Sequence, residues 1–72
     1  MMISERLETL VEEMVAKGVR FDDAVRELEK RFIVQVLGRC AGSLTKTAHT
    51  LGIHRNTLTR KMVEYRITRR SG

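Results

Sequence analysis

The sequence predicts an all-α fold of four helices, in which two N-terminal helices provide a dimerisation surface and the last two form a helix-turn-helix. Three observations support this prediction. The 72 residues include no proline and no alternating apolar and polar run typical of a strand. Internal glycines are the only breaks in the helical pattern. The chain is also small, with no tryptophan and one cysteine, so association with a second copy is the expected support for its core.

The first helix is predicted over residues 4–17. Ser4 can cap its N-terminus, and Lys17-Gly18 ends it in the manner of a C-cap. Apolar residues recur at i, i+3, i+4, i+7 and i+8 on one face, and glutamates occupy the opposite arc. An acidic polar face gives no reason to expect membrane binding, so we interpret the apolar face as core or dimer seam. The apolar residues are Leu7, Leu10, Val11, Met14 and Val15.

The second helix is predicted from Asp22, as N-cap, to about Cys40. Its apolar residues form two groups on different sides of the helix. One group is Phe21, Val25, Leu28, Phe32 and Val36, and the other is Ile33, Val34 and Leu37. A helix with two apolar sides has two neighbours, one of which can be a second subunit. The alternative is a helix that is central in a monomer. The predicted dimer-interface residues are Leu7, Leu10, Val11, Met14, Val25, Leu28 and Phe32.

Gly38 lies inside this second helix and costs about 1 kcal/mol against alanine. It indicates either a close helix crossing or a weak point, and the sequence does not decide between them. The single Cys40 ends an apolar stripe and is interpreted as a small core residue.

Two short helices are predicted next, over Thr45–Leu51 and from His54 or Arg55 to Tyr65. Small Ala48 permits a close crossing, Gly52 takes a left-handed turn, and Leu58 fills the angle together with Ile53. This spacing is typical of a helix-turn-helix. The sequence therefore divides into a helical dimerisation region, 1–41, and a helix-turn-helix region with a basic tail, 42–72, within one compact domain.

Charge separates the same two regions. Residues 1–36 carry six basic and eight acidic side chains, a net charge of −2, whereas residues 37–72 carry eight basic side chains and one acidic, a net charge of +7. A strongly basic helix-turn-helix predicts double-stranded DNA as the partner. The predicted DNA-binding residues are Ser43, Thr45, Lys46, His54, Arg55, Asn56, Thr57, Arg60 and Lys61.

These residues have different expected roles. Arg55 can donate two hydrogen bonds to guanine, and His54 or Asn56 can contact a base edge. Phosphate contacts are expected from Thr57, Arg60 and Lys61 on the last helix, and from Ser43, Thr45 and Lys46 at the start of the preceding one. A basic tail of Arg66, Arg69 and Arg70, expected to be frayed, adds affinity without specificity.

Residues 29–67 resemble the Fis family (factor for inversion stimulation). The most specific part of the resemblance is Leu51-Gly52-Ile53-x-Arg55-x-Thr57-Leu58. The same unit forms the C-terminal DNA-binding domain of NtrC-type enhancer-binding regulators. The resemblance implies an all-α homodimer with a four-helix core and one helix-turn-helix per subunit. It implies a bacterial transcriptional regulator or a DNA-bending, nucleoid-type factor. Carried over by position, recognition-helix contacts are His54, Arg55, Thr57 and Arg60, and phosphate contacts are Ser43, Thr45 and Lys46.

Two departures from the family pattern matter. Ser43 stands where the family usually has asparagine, which predicts a weaker phosphate contact. Ala41 stands where Fis carries an arginine that touches RNA polymerase, so that contact is not implied.

The alternative function is a helix-turn-helix adaptor or antitoxin-like module that binds an acidic protein partner. No enzyme activity is expected, because the sequence offers no nucleophile–base pair, paired carboxylate site, phosphate loop or metal cluster. His49 and His54 lie on different faces without a cysteine or carboxylate companion. We therefore expect no metal, cofactor or small-molecule ligand. The lone cysteine and the lack of an export or membrane segment predict a cytoplasmic location, to which the resemblance adds the nucleoid, and the Met-Met start favours a complete short chain.

Overall fold

A computed structural model of the chain describes residues 2–68, and it confirms the all-α fold. Arg69 and Arg70 of the predicted basic tail lie outside the described residues. Within them, four helices follow one another without a strand. The helices are α1 (Met2–Ala16), α2 (Phe21–Arg39), α3 (Leu44–Leu51) and α4 (Arg55–Tyr65).

The starts of the first two helices differ from the prediction. Because α1 begins at Met2, Ser4 lies inside its first turn, and the predicted cap at Ser4 was wrong. An exposed helix start can bond its N–H groups to water, so α1 can extend over Met2 and Ile3 ahead of Ser4. The residue that precedes α2 is Arg20, which has an extended backbone and makes no side-chain cap bond. The predicted cap at Asp22 was therefore also wrong.

The reason for the second error is the short connection between α1 and α2. Gly18 adopts a φ of 75°, its N–H donates to the Val15 carbonyl at 3.1 Å, and the Val19 N–H donates to the Met14 carbonyl at 2.9 Å. This is the Schellman pattern, and it ends α1 where the sequence predicts. Only one further residue separates this turn from α2, so the helix begins before Asp22. The Asp22 carboxylate still lies in the first turn, where the helix dipole favours it.

The hydrophobic core lies between α2, α3 and α4. Leu37 of α2 and Leu58 of α4 are fully buried, and Ala48 of α3 lies between these helices with little exposure. The remaining buried apolar residues are Ile33, Met62 and Ile67. The helix-turn-helix therefore shares its core with α2.

The C-terminal half of α2 packs only one of its two apolar sides in this core. That side carries Ile33 and Leu37. The other side, with Phe32, is open in the single chain, and α1 has no buried residue at all. Six of the seven predicted dimer-interface side chains are 39–57% exposed, and the seventh is partly buried. The exposed six, here called the open stripe, are Leu7, Leu10, Val11, Val25, Leu28 and Phe32.

The side of Gly38 where a side chain would stand is open in the described chain. A β-carbon built at this position would have no atom within 4 Å. A close crossing by α1, α3 or α4 at this glycine is therefore excluded. Separately, none of the helices in residues 2–68 has both the length and the apolar composition that crossing a membrane requires.

Candidate nucleic-acid interface

The helix-turn-helix is held together by the inward faces of α3 and α4. Gly52 has a φ of 72°, and the Ile53 N–H donates to the Ala48 carbonyl at 3.1 Å, so the turn closes on the last turn of α3. Buried Thr47 donates its hydroxyl to the Ser43 carbonyl at 2.7 Å, which satisfies its polar atom. The turn and the small crossing residue Ala48 are placed as the sequence predicts.

The N-terminus of α3 presents three of the predicted phosphate-binding residues together. Ser43 caps the helix, because its hydroxyl oxygen accepts the Lys46 N–H at 3.2 Å. That bond does not use the hydroxyl hydrogen, which can still be donated to a phosphate oxygen. Thr45 and Lys46 are exposed in the first turn. This end of α3 thus combines a hydroxyl donor with an ammonium group.

His54 caps the N-terminus of α4. Its Nδ1 atom accepts the Asn56 N–H at 3.1 Å. An imidazole that accepts through Nδ1 is neutral and carries its hydrogen on Nε2. The side chain is exposed, so the Nε2–H is available as a donor at the tip of the helix. The sequence predicts His54 at this tip, and in the structure His54 is the N-cap residue of α4.

The outward face of α4 carries the arginines predicted to contact DNA. Arg55 and Arg60 are exposed, as is Asn56, while Thr57 is half-buried. Within residues 2–68, no carboxylate forms an ion pair with either arginine. Their positive charges are therefore not neutralised by the described part of the protein, and both side chains are exposed to solvent.

Lys61 lies in a different environment. Its ammonium is 2.9 Å from Glu29 Oε1 on α2, and the two side chains are 29% and 37% exposed. The same carboxylate oxygen accepts the hydroxyl of Tyr65. Lys61 is thus the one basic residue of α4 with a carboxylate partner in the described chain. Its predicted contact with phosphate stays a prediction.

The Tyr65–Glu29 hydrogen bond and the Lys61–Glu29 pair together lower the pKa of the Glu29 carboxyl, against the smaller opposing effect of burial. Donation to that carboxylate, helped by partial burial, raises the pKa of Tyr65 to about 12. Beside them, Arg26 forms a 3.2 Å ion pair with Glu64 and places its guanidinium carbon 5.6 Å from the centroid of the Tyr65 ring. We call these five residues, Arg26, Glu29, Lys61, Glu64 and Tyr65, the α2–α4 network.

Sequence reasoning missed this network. Its helical spacing gives one usable signal, since Lys61 and Tyr65 are four residues apart and share a face. Glu29 is 32 residues away from Lys61, and no local rule brings them together. Among residues 2–68, no three His, Cys, Asp or Glu side chains form a group that could hold a metal ion.

The first residue of the predicted basic tail, Arg66, is held by the fold. Arg66 follows α4 with a φ of 56°, and the Ile67 N–H donates to the Met62 carbonyl at 2.8 Å. Because Ile67 is buried, the chain is held at this point and the expected fraying at Arg66 is not found.

Comparison with known proteins bears on the same part of the chain. Residues 24–65 match a family model described as bacterial regulatory protein, Fis family. The match includes all of α3 and α4 and most of α2. It therefore covers the helix-turn-helix, the α2–α4 network and all of the shared core except Ile67.

Individual relatives give the same result. A Fis-like DNA-binding protein of Xylella fastidiosa strain Temecula1 is 42% identical over 45 residues, which cover 62% of this chain and 50% of the relative. A Fis-like DNA-binding protein of Neisseria meningitidis serogroup A is 33% identical over 45 residues, covering 62% of this chain and 57% of the relative. The chain spans about half the length of the curated relatives it matches. No solved structure matches it at a significant level.

Proposed function

The chain belongs to the Fis family of bacterial regulatory proteins, and we propose that it binds double-stranded DNA as a homodimer with a preference for certain sequences. One observation carries the proposal. The second helix of a helix-turn-helix presents Arg55, Asn56 and Arg60 to solvent, and no carboxylate within residues 2–68 neutralises the two arginines. The names of the relatives, Fis-like DNA-binding proteins, support the same partner.

In this proposal α4 lies in the major groove with its N-terminal end against the base edges. Arg55 donates two hydrogen bonds to guanine, and Asn56 and the Nε2–H of His54 contact neighbouring base edges. Thr57 and Arg60 bind phosphates along the groove.

The N-terminus of α3 holds the flanking phosphate. Ser43 contributes its hydroxyl hydrogen, Thr45 its hydroxyl and Lys46 its charge, beside the unpaired N–H groups of the helix start. A serine hydroxyl has a shorter reach than the asparagine usual in the family, so we expect this contact to be the weaker one.

The homodimer is proposed from the open stripe. Large apolar side chains of α1 and α2 are exposed along two helices of a single chain, and monomeric soluble proteins rarely leave such surfaces uncovered. Pairing with the same stripe of a second copy buries it and gives two-fold symmetry. A symmetric dimer then presents one α4 to each half of a near-palindromic site.

The proposed DNA binding and the proposed homodimer together suggest a cellular role. A dimer of this kind acts in the cytoplasm, at the nucleoid, as a transcriptional regulator or as a factor that bends DNA. If its two recognition helices are closer than one DNA turn, the duplex must bend, and flexible pyrimidine–purine steps add selectivity without contact.

The test of DNA binding is the affinity for a random duplex and for a selected site at several salt concentrations. The wild type should lose affinity as salt rises. The slope of the logarithm of the binding constant against the logarithm of the salt concentration should be about −0.9 for each neutralised phosphate. Arg60→Ala should flatten the slope by about 0.9 for each bound subunit, on both duplexes alike, because each subunit then neutralises one phosphate fewer. Arg55→Ala should cost about 1–3 kcal/mol on the selected site and less on the random one.

Arg6→Ala is the matched control, because Arg6 is an exposed arginine on α1. It should leave the slope and both affinities close to wild type. Absence of binding at low salt would refute the proposal and favour the adaptor function, in which the basic surface binds an acidic protein. Equal losses on both duplexes for Arg55→Ala would refute its base-reading role.

The homodimer is tested by sedimentation over a range of protein concentrations. Phe32→Glu places a charge in the open stripe at a side chain that is 57% exposed, so it should shift the protein to monomer without unfolding it. Val63→Glu is the control, since Val63 is exposed on α4, away from the stripe. A wild type that remains monomeric at all concentrations would refute the dimer.

A further inference from the structure

Glu29 of α2 contacts one of the basic residues of α4. Three basic residues lie on α4, namely Arg55, Arg60 and Lys61, and only Lys61 has a carboxylate partner among residues 2–68. That partner, Glu29, accepts a hydrogen bond from the Lys61 ammonium at 2.9 Å. Lys61 is also the least exposed of the three, because its side chain lies against α2.

The carboxylate of Glu29 is itself held in place. The Tyr65 hydroxyl donates to the same oxygen, Oε1, that accepts the Lys61 ammonium. Lys61 and Tyr65 are four residues apart on α4 and therefore reach toward α2 from one face of the helix. The Tyr65 ring is in turn covered by the Arg26 guanidinium, which is paired with Glu64. The acceptor is thus fixed by two donors from α4.

The charge state of Glu29 stabilises its ion pair with Lys61. Its pKa lies below the ordinary value of 4.5, mainly through the Tyr65 hydrogen bond, so the carboxylate is ionised at neutral pH. A lysine has a flexible four-carbon stem, and without a partner its ammonium can swing toward the solvent face of the helix. The neighbouring Arg60 already lies on that face.

Building on the proposed DNA binding, we propose that Glu29 is a positioning residue that limits the sequence-independent affinity for DNA. It holds the Lys61 ammonium against α2 and thereby keeps it off the DNA phosphates. Contacts with phosphate strengthen binding to every sequence alike, whereas Arg55 reads bases. Withholding Lys61 therefore lowers affinity for random DNA and leaves the base-reading contacts in place.

The test compares the salt dependence of binding to a random duplex for three variants: Glu29→Gln, Lys61→Gln and the double variant. Glutamine keeps the size of the side chain and an oxygen that can accept the Tyr65 hydroxyl, but it removes the charge that holds Lys61. Glu29→Gln should steepen the slope by about 0.9 for each released lysine, which is about eightfold tighter binding per lysine at ~0.1 M salt. Lys61→Gln and the double variant should both keep the wild-type slope.

Glu27→Gln is the matched control. Glu27 lies on the same helix, pairs with Arg31 of that helix at 3.1 Å, and loses the same charge when replaced. Any general effect of one fewer negative charge appears in this variant. The proposal requires Glu29→Gln to exceed it, and requires the excess to disappear when Lys61 is also replaced.

Several results would overturn the proposal. One is a slope for Lys61→Gln that is flattened as much as that of Arg60→Ala, since Lys61 would then bind phosphate in the wild type. Another is a Glu29→Gln slope equal to that of Glu27→Gln. If Glu29→Gln loses its helical circular dichroism, the variant is unfolded and its slope is not used. The slope of Lys61→Gln relative to wild type then tests the proposal by itself. Failure of DNA binding itself looks different, because the wild type and every variant then leave the duplex unbound at low salt.

Discussion

Tyr65 gives a direct measure of the α2–α4 network, because it is the single tyrosine of the chain. Its ionisation can be followed by ultraviolet absorbance without interference from another phenol. The Glu29 carboxylate raises the pKa of Tyr65 from 10 to about 12, since the neutral hydroxyl donates to it. We expect the absorbance titration to have its midpoint near the raised value.

The size of the Tyr65 pKa shift gives the expected contribution of its hydrogen bond to the free energy of unfolding. At 1.36 kcal/mol per pKa unit, the difference between 10 and about 12 corresponds to about 2.7 kcal/mol before screening. The Glu29 side chain is 37% exposed, so water and salt screen the interaction and reduce it to about 1–2 kcal/mol. That range agrees with a hydrogen bond to a charged group. Tyr65→Phe should therefore lower the free energy of unfolding by about 1–2 kcal/mol at pH 7, measured by urea denaturation.

The same pair predicts how stability depends on pH. A folded-state pKa above the unfolded value means that the contribution is complete below pH 10 and is lost as pH rises through about 12. The wild type should thus lose more stability over this interval than Tyr65→Phe, and the comparison removes the effect of lysines that titrate in the same range.

Two results would refute this reasoning about Tyr65. One is a titration midpoint at the ordinary value of 10, and the other is a Tyr65→Phe variant within about 0.5 kcal/mol of wild type, the range expected of a surface change. Glu29→Gln provides the control, because it leaves the phenol in place and should return its pKa toward 10.

Two substitutions should stabilise the protein. Ala41 has a φ of 53°, which a β-carbon disfavours, so Ala41→Gly should add about 0.5–1 kcal/mol, measured as a higher melting temperature; an unchanged or lower value would contradict it. Gly38 lies in α2 with open space around its missing β-carbon, so Gly38→Ala should add up to about 1 kcal/mol. If Gly38→Ala instead weakens self-association in sedimentation, the glycine lies in a contact between subunits.

The positions of the helices could be predicted from the sequence because local rules set them. The Ala48, Gly52 and Leu58 spacing specifies a helix-turn-helix through a small crossing residue, a left-handed turn and an apolar plug, all within eleven residues. The end of α1 at Gly18 is equally local. The helix starts were less predictable, since an exposed start can bond to water in place of a side-chain cap, and α1 begins two residues before Ser4.

The contacts between α2 and α4 could not be predicted. Two apolar sides of α2 compete for the core, and composition does not distinguish Phe32 from Leu37. The structure buries Leu37 and leaves Phe32 exposed, because α2 packs against α3 and α4 through the side that carries Leu37. The same packing of α2 against α4 brings Glu29 to Lys61. The exposure of Arg55, in contrast, can be predicted from the helical period alone.

In the proposed dimer, α2 connects the two functions of the chain. Its open side, with Phe32, would pair with the second copy, and its buried side holds α4 through Leu37 and through Glu29. Each recognition helix is then fixed relative to the two-fold axis by contacts along one helix, and the separation of the two α4 helices depends on how rigidly α2 carries them. Loosening the Glu29 contact would therefore affect the charge that α4 presents. Variants in the open stripe should change dimerisation without changing the pKa of Tyr65.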